Sequence, residues 1–199
     1  MTKKASSSLI IFAKNPVVGK VKTRLAKDIG QERALEIYKQ LLDHTHAITQ
    51  PMEVHKCVYY SEYIEEGDVW ELGSYKKLVQ VGNGLGEKMH NAFLDQFSSG
   101  FHKVCIIGTD CFEIDEITLS EAFKALDTHD FVIGPANDGG YYLLGMCRPT
   151  PEIFRDKVYS TSHVFDEAMR EIHEMGASVH VLTQLTDIDR VEDLHKMKG

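Results

Sequence analysis

The sequence has no long apolar run and no paired-cysteine motif. A membrane-spanning helix needs about 20 consecutive apolar residues, and the first apolar stretch, Leu9 to Ala13, is too short even for the core of a secretion signal. The cysteines at positions 57, 105, 111 and 147 form no CxxC pair, which favours free thiols in a reducing compartment. We therefore predict a cytoplasmic protein with no membrane span.

An excess of positive charge is also missing. The chain carries 22 Lys and Arg against 30 Asp and Glu, a formal net charge of -8, which argues against nucleic acid as a partner. Seven of the basic residues nevertheless precede the first acidic residue, Asp28. A local basic cluster on an otherwise acidic protein favours a small anionic ligand over a polyanion.

The sequence does contain a regular alternation of strand and helix patterns. Continuous apolar runs, as in buried parallel strands, predict strands over residues 8–13, 54–60, 78–81, 103–108, 130–134, 141–145 and 178–182. Helical spacing predicts helices over residues 31–48, 85–97, 117–126 and 162–175 and from 191 onwards. This order predicts one α/β domain over residues 1–199, with a flexible segment 1–7 and a mostly parallel, Rossmann-like sheet covered by helices on both faces.

The first loop, Lys14 to Arg24, combines a glycine with several cations between a strand and a helix. Backbone N–H groups in that position point towards anions, and Gly19 would let the backbone approach a phosphate. The loop has neither Walker nor dinucleotide-binding glycine spacing, and a solvated basic loop is the alternative. The predicted nucleotide- and phosphate-binding residues here are Ala13, Lys14, Gly19, Lys20, Lys22, Thr23 and Arg24.

An ionisable carboxylate, Asp110, follows directly on the apolar run Val104 to Ile107. In open α/β sheets, ligands bind beyond the carboxyl ends of the strands. A helix-capping role is disfavoured because the next predicted helix begins later, near Asp115. Carboxylates together with substrate phosphates hold divalent cations in such positions. We therefore predict Asp110 to be catalytic and to bind Mg²⁺ or Mn²⁺.

A second polar loop, Gly134 to Gly140, follows another apolar run. Its Asp-Gly step is typical of a type I′ hairpin turn, although paired glycines also let a ligand come close. We predict a catalytic role for Asp138, and the predicted substrate-binding residues are Asn137, Gly139, Gly140 and Tyr141.

Two further segments are candidates for the same site. Glycines in Val81 to Gly86 precede a predicted helix and either contact the nucleoside or only shape a turn; Gly84 and Gly86 are the predicted binding residues. Near the C-terminus, Asp187 and Asp189 lie on the same side of an extended segment, where they either bind metal or cap the last helix. Of these two, Asp189 is the predicted second metal ligand.

Taken together, these segments resemble one family. Its motifs occur here in order as Phe12 to Leu25, Gly84 to Met89, Gly108 to Cys111, Gly134 to Tyr142, and Leu185 to Asp189 followed by Glu192-Asp-Leu194. The chain resembles the small bacterial glycosyltransferases of the DUF2064 type, in the nucleotide-diphospho-sugar transferase superfamily, from about residue 9 to 195. The resemblance implies a GT-A fold that binds a nucleotide and a divalent cation at an acidic strand end.

Two positions depart from the pattern of that family. Phe112 stands where members commonly have proline. The usual Asp-x-Asp of GT-A enzymes is reduced to Asp110, because its neighbours are Thr109 and Cys111. The reduced motif therefore implies a cation site that either is weak or depends on Asp189 or on nucleotide phosphates.

The leading prediction is a metal-dependent glycosyltransferase with a nucleotide-diphosphate-sugar donor and an acceptor selected around residues 138–165. A nucleotidyltransferase that uses a nucleoside triphosphate and releases pyrophosphate, resembling guanylyltransferases of the same superfamily, is the alternative. It is favoured by the three cations Lys20, Lys22 and Arg24, which exceed what a diphosphate requires. A non-catalytic nucleotide-binding protein is the third hypothesis, motivated by the incomplete acidic motif.

Overall fold

The computed structural model describes residues 6–71, 73–155, 157–159 and 161–197. Its strands are β1 (Ser7–Ala13), β2 (His55–Tyr60), β3 (Tyr75–Val79), β4 (Lys103–Ile107), β5 (Phe131–Pro135), β6 (Tyr141–Met146) and β7 (Val179–Val181). Its helices are α1 (Ala26–Ile29), α2 (Gln31–Thr49), α3 (Leu85–Ser98), α4 (Glu116–Ala125) and α5 (Val164–Glu174), with 3₁₀ turns at Val69–Glu71, Pro151–Phe154 and Val191–Met197. The predicted strands and the predicted helices up to residue 175 are thus confirmed, most of them with small shifts at their ends. The exception is β3, which shares only residues 78 and 79 with the predicted strand 78–81.

The two ends of the chain differ from the predictions. Ser7 is already part of β1 and pairs with Lys103 on β4, so the predicted flexible segment does not extend to it, and residues 1–5 lie outside the described part of the chain. The predicted closing helix is a 3₁₀ turn, Val191–Met197, with no buried residue. A short segment that packs only Leu194 and Met197 against the core, neither of them fully buried, has little to stabilise an α-helix.

The strands form one sheet in the order β3-β2-β1-β4-β6-β5-β7. β1, β2, β3 and β4 run parallel to their neighbours, as does β7 beside β5. β6 is antiparallel to both β4 and β5, because the short loop 136–140 cannot provide the crossover that a parallel pair needs. The prediction of a mostly parallel sheet is confirmed, with β6 as the exception.

Helices cover both faces of this sheet. The side chains of β1 alternate, so that Leu9 and Ile11 pack with residues of α2 and α4 on one face. Ile10 packs on the other face, with Phe93 of α3 and Ile172 of α5. The continuous apolar run of β1 is therefore explained by burial on both sides.

The two central strands, β1 and β4, are direct neighbours. After β1 the chain continues to β2 and β3 on one side, whereas β4 is flanked by β6 on the other. The connections thus diverge between β1 and β4, which leaves a crevice at their carboxyl ends.

Candidate functional site

A cavity of about 750 Å³ opens at this crevice. Lys14 after β1, Ser61 after β2, Gln80 after β3 and the β4 loop Gly108–Cys111 line one side of it. The β5–β6 loop, the start of α3 and the segment before α5 line the other side. The cavity therefore has the position at which open α/β sheets bind ligands.

Tyr38 of α2 ties the ends of β1 and β4 together beneath the cavity. Its hydroxyl accepts a hydrogen bond from the Lys14 N–H at 2.7 Å and lies 3.2 Å from the Thr109 hydroxyl. Burial, and then the charge of Asp110, raise the pKa of Tyr38 well above its ordinary value, so this phenol remains protonated. Tyr38 lies in the predicted helix 31–48 but was not among the residues predicted for the site, so its role at the cavity was missed.

Lys22 is the central cation of the site. Its side chain is 3% exposed, and its Nζ lies 2.6 Å from Asp110 Oδ1 and 3.6 Å from Asp189 Oδ1. Arg24 adds an exposed contact of 3.4 Å to the other oxygen of Asp189. Lys22 has a φ of 48°, a left-handed conformation that is uncommon outside glycine. Such strain is concentrated at functional sites.

The packing around Asp110 explains why the acidic motif has one carboxylate. Its neighbours Thr109 and Cys111 are 4% and 5% exposed, and both are adjacent to core residues. A carboxylate at either position would lose its hydration in an apolar setting, which is costly without a partner. Burial also raises the pKa of the Cys111 thiol to about 12, so this cysteine stays neutral.

Further carboxylates come instead from the C-terminal segment. The Ile188 N–H donates to the Asp110 carbonyl at 2.8 Å, and Ile188 is buried with Leu25 and Leu41. With Ile188 facing inwards, Asp187 and Asp189 both line the cavity, as the extended pattern predicts. Asp189 does not cap the last turn, because Asp193 accepts the N–H groups of Asp189 and Arg190.

Asp187 is a member of the site that was considered but not selected from the sequence. Desolvation by burial, followed by repulsion from Asp110, raises its pKa from 3.8 to about 7, and Lys22 opposes this shift. The site thus places more negative charge together than its buried cation neutralises. A signal was present in the sequence, since Asp187 and Asp189 are two apart in an extended segment.

Most of the residues predicted for the site line this cavity. Those that do are Lys14, Lys22, Thr23, Arg24, Gly84, Asp110, Asp138, Gly140, Tyr141 and Asp189. They derive from loops far apart in the sequence, and the carboxyl edge of the sheet brings them together.

Three of the predicted phosphate-binding positions, Ala13, Gly19 and Lys20, are not in the described lining of the cavity. Lys20 forms an exposed ion pair with Glu62 at 3.0 Å, and Gly19, with a φ of 77°, faces the side chain of Gln31. Ala13 is a core residue at the end of β1. These three positions are absent from the described lining of the cavity, so their predicted phosphate contacts are not supported by the geometry.

Three predicted binding residues, Gly86, Gly139 and Asn137, contact other protein groups. A Cβ on Gly86 would lie 2.6 Å from the Tyr159 ring, and one on Gly139 would lie 2.2 Å from the Ser162 carbonyl oxygen. The Asn137 amide donates to the hydroxyl of Thr186. These three predicted binding residues shape the walls from behind and are not in the described lining of the cavity.

Asp138 lies in the β5–β6 loop and faces the cavity. Its Oδ1 accepts the Gly140 N–H at 2.9 Å, which holds the carboxylate at the tip of the turn. Gly139 is the residue of this turn with positive φ, at 87°. A type I′ turn requires positive φ at both central residues, so the alternative interpretation of this loop as a type I′ turn is excluded.

Phe112, the position that departs from proline, packs away from the cavity. Its ring stacks on His44 with centroids 4.3 Å apart, and His44 in turn bonds the Ile114 carbonyl at 2.9 Å. The larger side chain therefore fastens the β4 loop to α2 and leaves Asp110 in place.

The acidic side of the cavity fits a divalent cation in part. In the described portion of the chain, no group of three or more His, Cys, Asp or Glu is arranged to hold a metal ion. Asp110 and Asp189 nevertheless converge on one point, which the Lys22 ammonium now fills. Two carboxylates suit Mg²⁺ when substrate phosphates and water supply its other ligands.

The family assignment comes from comparison with known proteins. Residues 45–161, more than half of the chain, match the family described as "Uncharacterized protein conserved in bacteria (DUF2064)". The chain belongs to the DUF2064 family. The resemblance inferred from its motifs is therefore confirmed.

Solved structures extend the comparison to the whole DUF2064 chain. A candidate nucleotide-diphospho-sugar transferase from Desulfovibrio desulfuricans G20 has a TM-score of 0.89 at 27% identity, covering 97% of this chain and 86% of that one. The 4-diphosphocytidyl-2C-methyl-D-erythritol synthase gives 0.63 at 11% identity, over 100% and 98% of the two chains. The inositol-1-phosphate CTP transferase from T. maritima gives 0.56 at 12%, over 97% and 93%. The predicted nucleotide-diphospho-sugar transferase fold is confirmed, and the last two similarities concern the fold alone.

Two other comparisons were negative. No curated protein matches the DUF2064 chain significantly in sequence. Within the residues that the structure describes, no helix is long and apolar enough to cross a membrane.

Proposed function

We propose that this protein is a cytoplasmic, single-domain glycosyltransferase that uses a nucleotide-diphosphate-sugar donor and a divalent cation. The observation that carries the proposal is the convergence of Asp110 and Asp189 on Lys22 at the switch point of the sheet. The similarity to a candidate nucleotide-diphospho-sugar transferase over nearly the whole chain supports the same activity.

Asp110 and Asp189 are the residues that would hold Mg²⁺ or Mn²⁺, with donor phosphates completing the ligand set. When bound, such a cation supplies charge neutralisation for the leaving diphosphate. Lys22, Arg24 and Lys14 line the same cavity and would bind the phosphate oxygens. Preorganised cations of this kind stabilise charge that develops on a leaving group.

Asp138 is proposed to orient the transferred sugar or to accept a proton from the acceptor hydroxyl. Its carboxylate lines the cavity, and the Gly140 N–H occupies only one of its acceptor positions in the described hydrogen bonds. A carboxylate that is positioned and still able to accept a proton suits a general base.

Nucleotidyl transfer is the second candidate. Cytidylyltransferases with the same fold, including CMP:2-keto-3-deoxy-manno-octonic acid synthetase complexed with CTP, align over almost the whole chain. Of the three loop cations that favour a triphosphate, Lys20 pairs with Glu62 outside the cavity, which leaves Lys22 and Arg24. We therefore retain glycosyl transfer as the preferred activity. A binding protein without catalysis remains the third hypothesis.

The test is a thermal-shift panel of nucleoside di- and triphosphates and nucleotide sugars, each with Mg²⁺, with Mn²⁺ and with EDTA. Ligands that bind the native state raise the melting temperature. Metal-dependent stabilisation by a diphosphate and its sugar conjugate is the expected result, and it also identifies the base.

The reaction products then separate the hypotheses. Glycosyl transfer, or hydrolysis with water as acceptor, releases a nucleoside diphosphate, whereas nucleotidyl transfer releases pyrophosphate. A clear preference for triphosphates with pyrophosphate release would replace the proposal with the second candidate. Tight binding without turnover against any acceptor would favour the third, and absence of binding at millimolar ligand would overturn the donor site.

A further inference from the structure

The cavity has a wall made of two tyrosines and a methionine, distinct from its charged side. Tyr141 begins β6, Tyr159 lies in the segment before α5, and Met89 is on the first turns of α3; all three line the cavity. Thr161 and Ser162 continue this wall towards α5. The tyrosine wall, as we call these five residues, offers hydroxyl groups on an otherwise apolar surface.

The phenol hydroxyls of the wall are poorly satisfied within the protein. The buried Tyr159 hydroxyl interacts with the neighbouring Tyr141 hydroxyl, but among the described residues it has no hydrogen-bond partner at ordinary geometry. The Tyr141 hydroxyl contacts the sulfur of Met89 at 4.0 Å, and a thioether is a weak acceptor. Buried polar groups are normally satisfied, so a group without a partner calls for an external one.

The wall is also fixed in place. The Tyr159 ring lies against Gly86, where a Cβ would approach it to 2.6 Å. Lys157, fully buried, forms an ion pair with Glu171 of α5 at 2.6 Å. The Phe165 N–H donates to the Gly139 carbonyl at 2.9 Å. The hydroxyls are therefore held in position before any ligand arrives, which lowers the entropic cost of binding.

The charges around the wall favour a neutral ligand. Burial raises the pKa of Tyr159 to about 12, and the charges of Glu171 and Glu167 raise it as well. Tyr159 is therefore a hydrogen-bond donor at neutral pH. Because Lys157 balances the charge of Glu171, Glu167 is the neighbouring carboxylate that disfavours an anion here. Lys157, the cation nearest to it in sequence, is already paired with Glu171.

We infer that Tyr159, together with Tyr141, forms a subsite for an uncharged, hydroxyl-bearing group such as a hexose ring, and that Gly86 is glycine in order to seat Tyr159. This inference rests on the proposed function and adds the class of group that the site selects. The same chemistry is found in the sugar of the donor and in a carbohydrate acceptor.

The test compares wild-type protein with Tyr159→Phe, which removes the hydroxyl and keeps the ring against Gly86. The probes are UDP, GDP, CDP and dTDP and the glucose conjugate of each, titrated calorimetrically with Mn²⁺ present. We expect Tyr159→Phe to bind the diphosphate like the wild type and the glucose conjugate about three- to tenfold more weakly, the equivalent of one hydrogen bond. Tyr75→Phe, which removes a hydroxyl bonded to Thr49 far from this wall, is the matched control and should bind both like the wild type.

Two more arms identify the source and the charge of the bound group. Methyl glucoside is titrated into protein saturated with diphosphate, and weaker binding by Tyr159→Phe in this arm alone assigns the subsite to the acceptor. The glucuronate conjugate should bind wild type more weakly than the glucose conjugate. Tighter binding of the glucuronate would overturn the preference for a neutral group, with Lys88, which also lines the cavity, as the cation responsible.

The outcomes distinguish a failure of the subsite from a failure of the proposed function. Equal affinities of Tyr159→Phe and wild type for both the glucose conjugate and methyl glucoside, with normal diphosphate binding, would overturn the subsite and leave the proposed function intact. Failure of wild type to bind any of the nucleotides would overturn the proposed function and the subsite with it. A companion variant, Gly86→Ala, should displace the Tyr159 ring and reproduce the loss.

Discussion

Carboxylates are used in opposite ways in two regions of this molecule. Away from the cavity, Asp115 accepts the N–H and the hydroxyl of Thr118 at 2.8 and 2.7 Å, and Asp130 accepts the same two groups of Ser178 at 2.9 and 2.8 Å. These hydrogen bonds lower the pKa of both residues. At the cavity, burial and neighbouring acids raise the pKa of Asp187 to about 7.

The difference lies in the donors available to each carboxylate. Asp115 and Asp130 have N–H groups directed at them, so that their negative charge stabilises the fold. Asp110, Asp187 and Asp189 share mainly Lys22 and the more exposed Arg24. A cluster with more negative charge than its partners balance is held together by the surrounding structure and is suited to an incoming cation. The predictions below test this contrast.

The largest effect is expected from Asp110→Asn. The amide keeps the shape of the side chain and removes the charge. Metal-dependent nucleotide binding should weaken by at least about 100-fold, because losing a metal ligand should cost no less than the roughly 10–100-fold that is lost with a hydrogen-bond partner of a ligand. Thermal shifts with nucleotide, Mn²⁺ and EDTA measure the loss. Asp115→Asn is the matched control and should keep the full metal-dependent shift; a normal shift in Asp110→Asn would remove Asp110 from the site.

Lys22→Gln is expected to have a smaller effect in the opposite direction, a gain in metal affinity. The ammonium lies where Asp110 and Asp189 converge, so it repels a divalent cation by an amount that reaches several kcal/mol at about 4 Å. Without nucleotide, the variant should bind Mn²⁺ about tenfold more tightly than wild type. Electron paramagnetic resonance of free Mn²⁺ provides the measurement. Unchanged affinity would show that Lys22 does not compete for this position.

Asp187→Asn is predicted to change how stability depends on pH. The folded pKa of Asp187, about 7, lies above its unfolded value of 3.8, so the folded state holds a proton that the unfolded state releases. Its contribution is present below pH 3.8 and is lost as pH rises towards 7. The variant side chain does not ionise, so the variant does not lose this stability as pH rises. Its melting temperature in EDTA should therefore exceed that of wild type by an amount that grows from pH 4 to pH 7.

Asp130→Asn should give the reverse pattern in the same measurement. Hydrogen bonds from Ser178 lower the pKa of Asp130, so its stabilising contribution is present above the unfolded pKa and is lost as pH falls through the folded pKa. This variant should therefore be less stable than wild type at neutral pH, and the gap should close in acid. If the melting temperatures of both variants, relative to wild type, changed with pH in the same direction, the two regions would not differ in the way described.

The smallest effect is expected from Asp115→Ala, which removes the N-cap of α4. Loss of a capping carboxylate costs about 1 kcal/mol, or roughly 2–4 °C in melting temperature for a protein of this size. Nucleotide affinity should remain that of wild type. Calorimetric melting together with one nucleotide titration checks both halves of this prediction.

The sequence predicts the fold more fully than the site, for physical reasons. Buried strands and amphipathic helices leave local periodicities, and these located β1, β4 and α3 correctly. The orientation of β6 depends on which strands it pairs with, and the spacing of apolar residues along the sequence does not indicate this. The site was predicted where motifs follow strands, as with Asp110 and Lys22. Tyr38 and Tyr159 were missed because their roles come from contacts between segments distant in sequence.

Glycines were the least reliable indicators of the site. Gly84 lines the cavity, whereas Gly86 and Gly139 are small because Tyr159 and Ser162 press against them. A glycine in a sequence reports that space or backbone freedom is needed, and it does not say whether a ligand or a neighbouring side chain uses that space.

The pairing of the C-terminal segment with the β4 loop has a consequence for how the protein is made. Asp110 emerges from the ribosome well before Asp189, and the hydrogen bond between Ile188 and Asp110 forms only after residue 188 has been translated. A nascent or truncated polypeptide that ends before residue 188 contains the Lys14 to Arg24 loop and Asp110 but lacks Asp189. The acidic side of the cavity is thus assembled only after residue 189 has been translated.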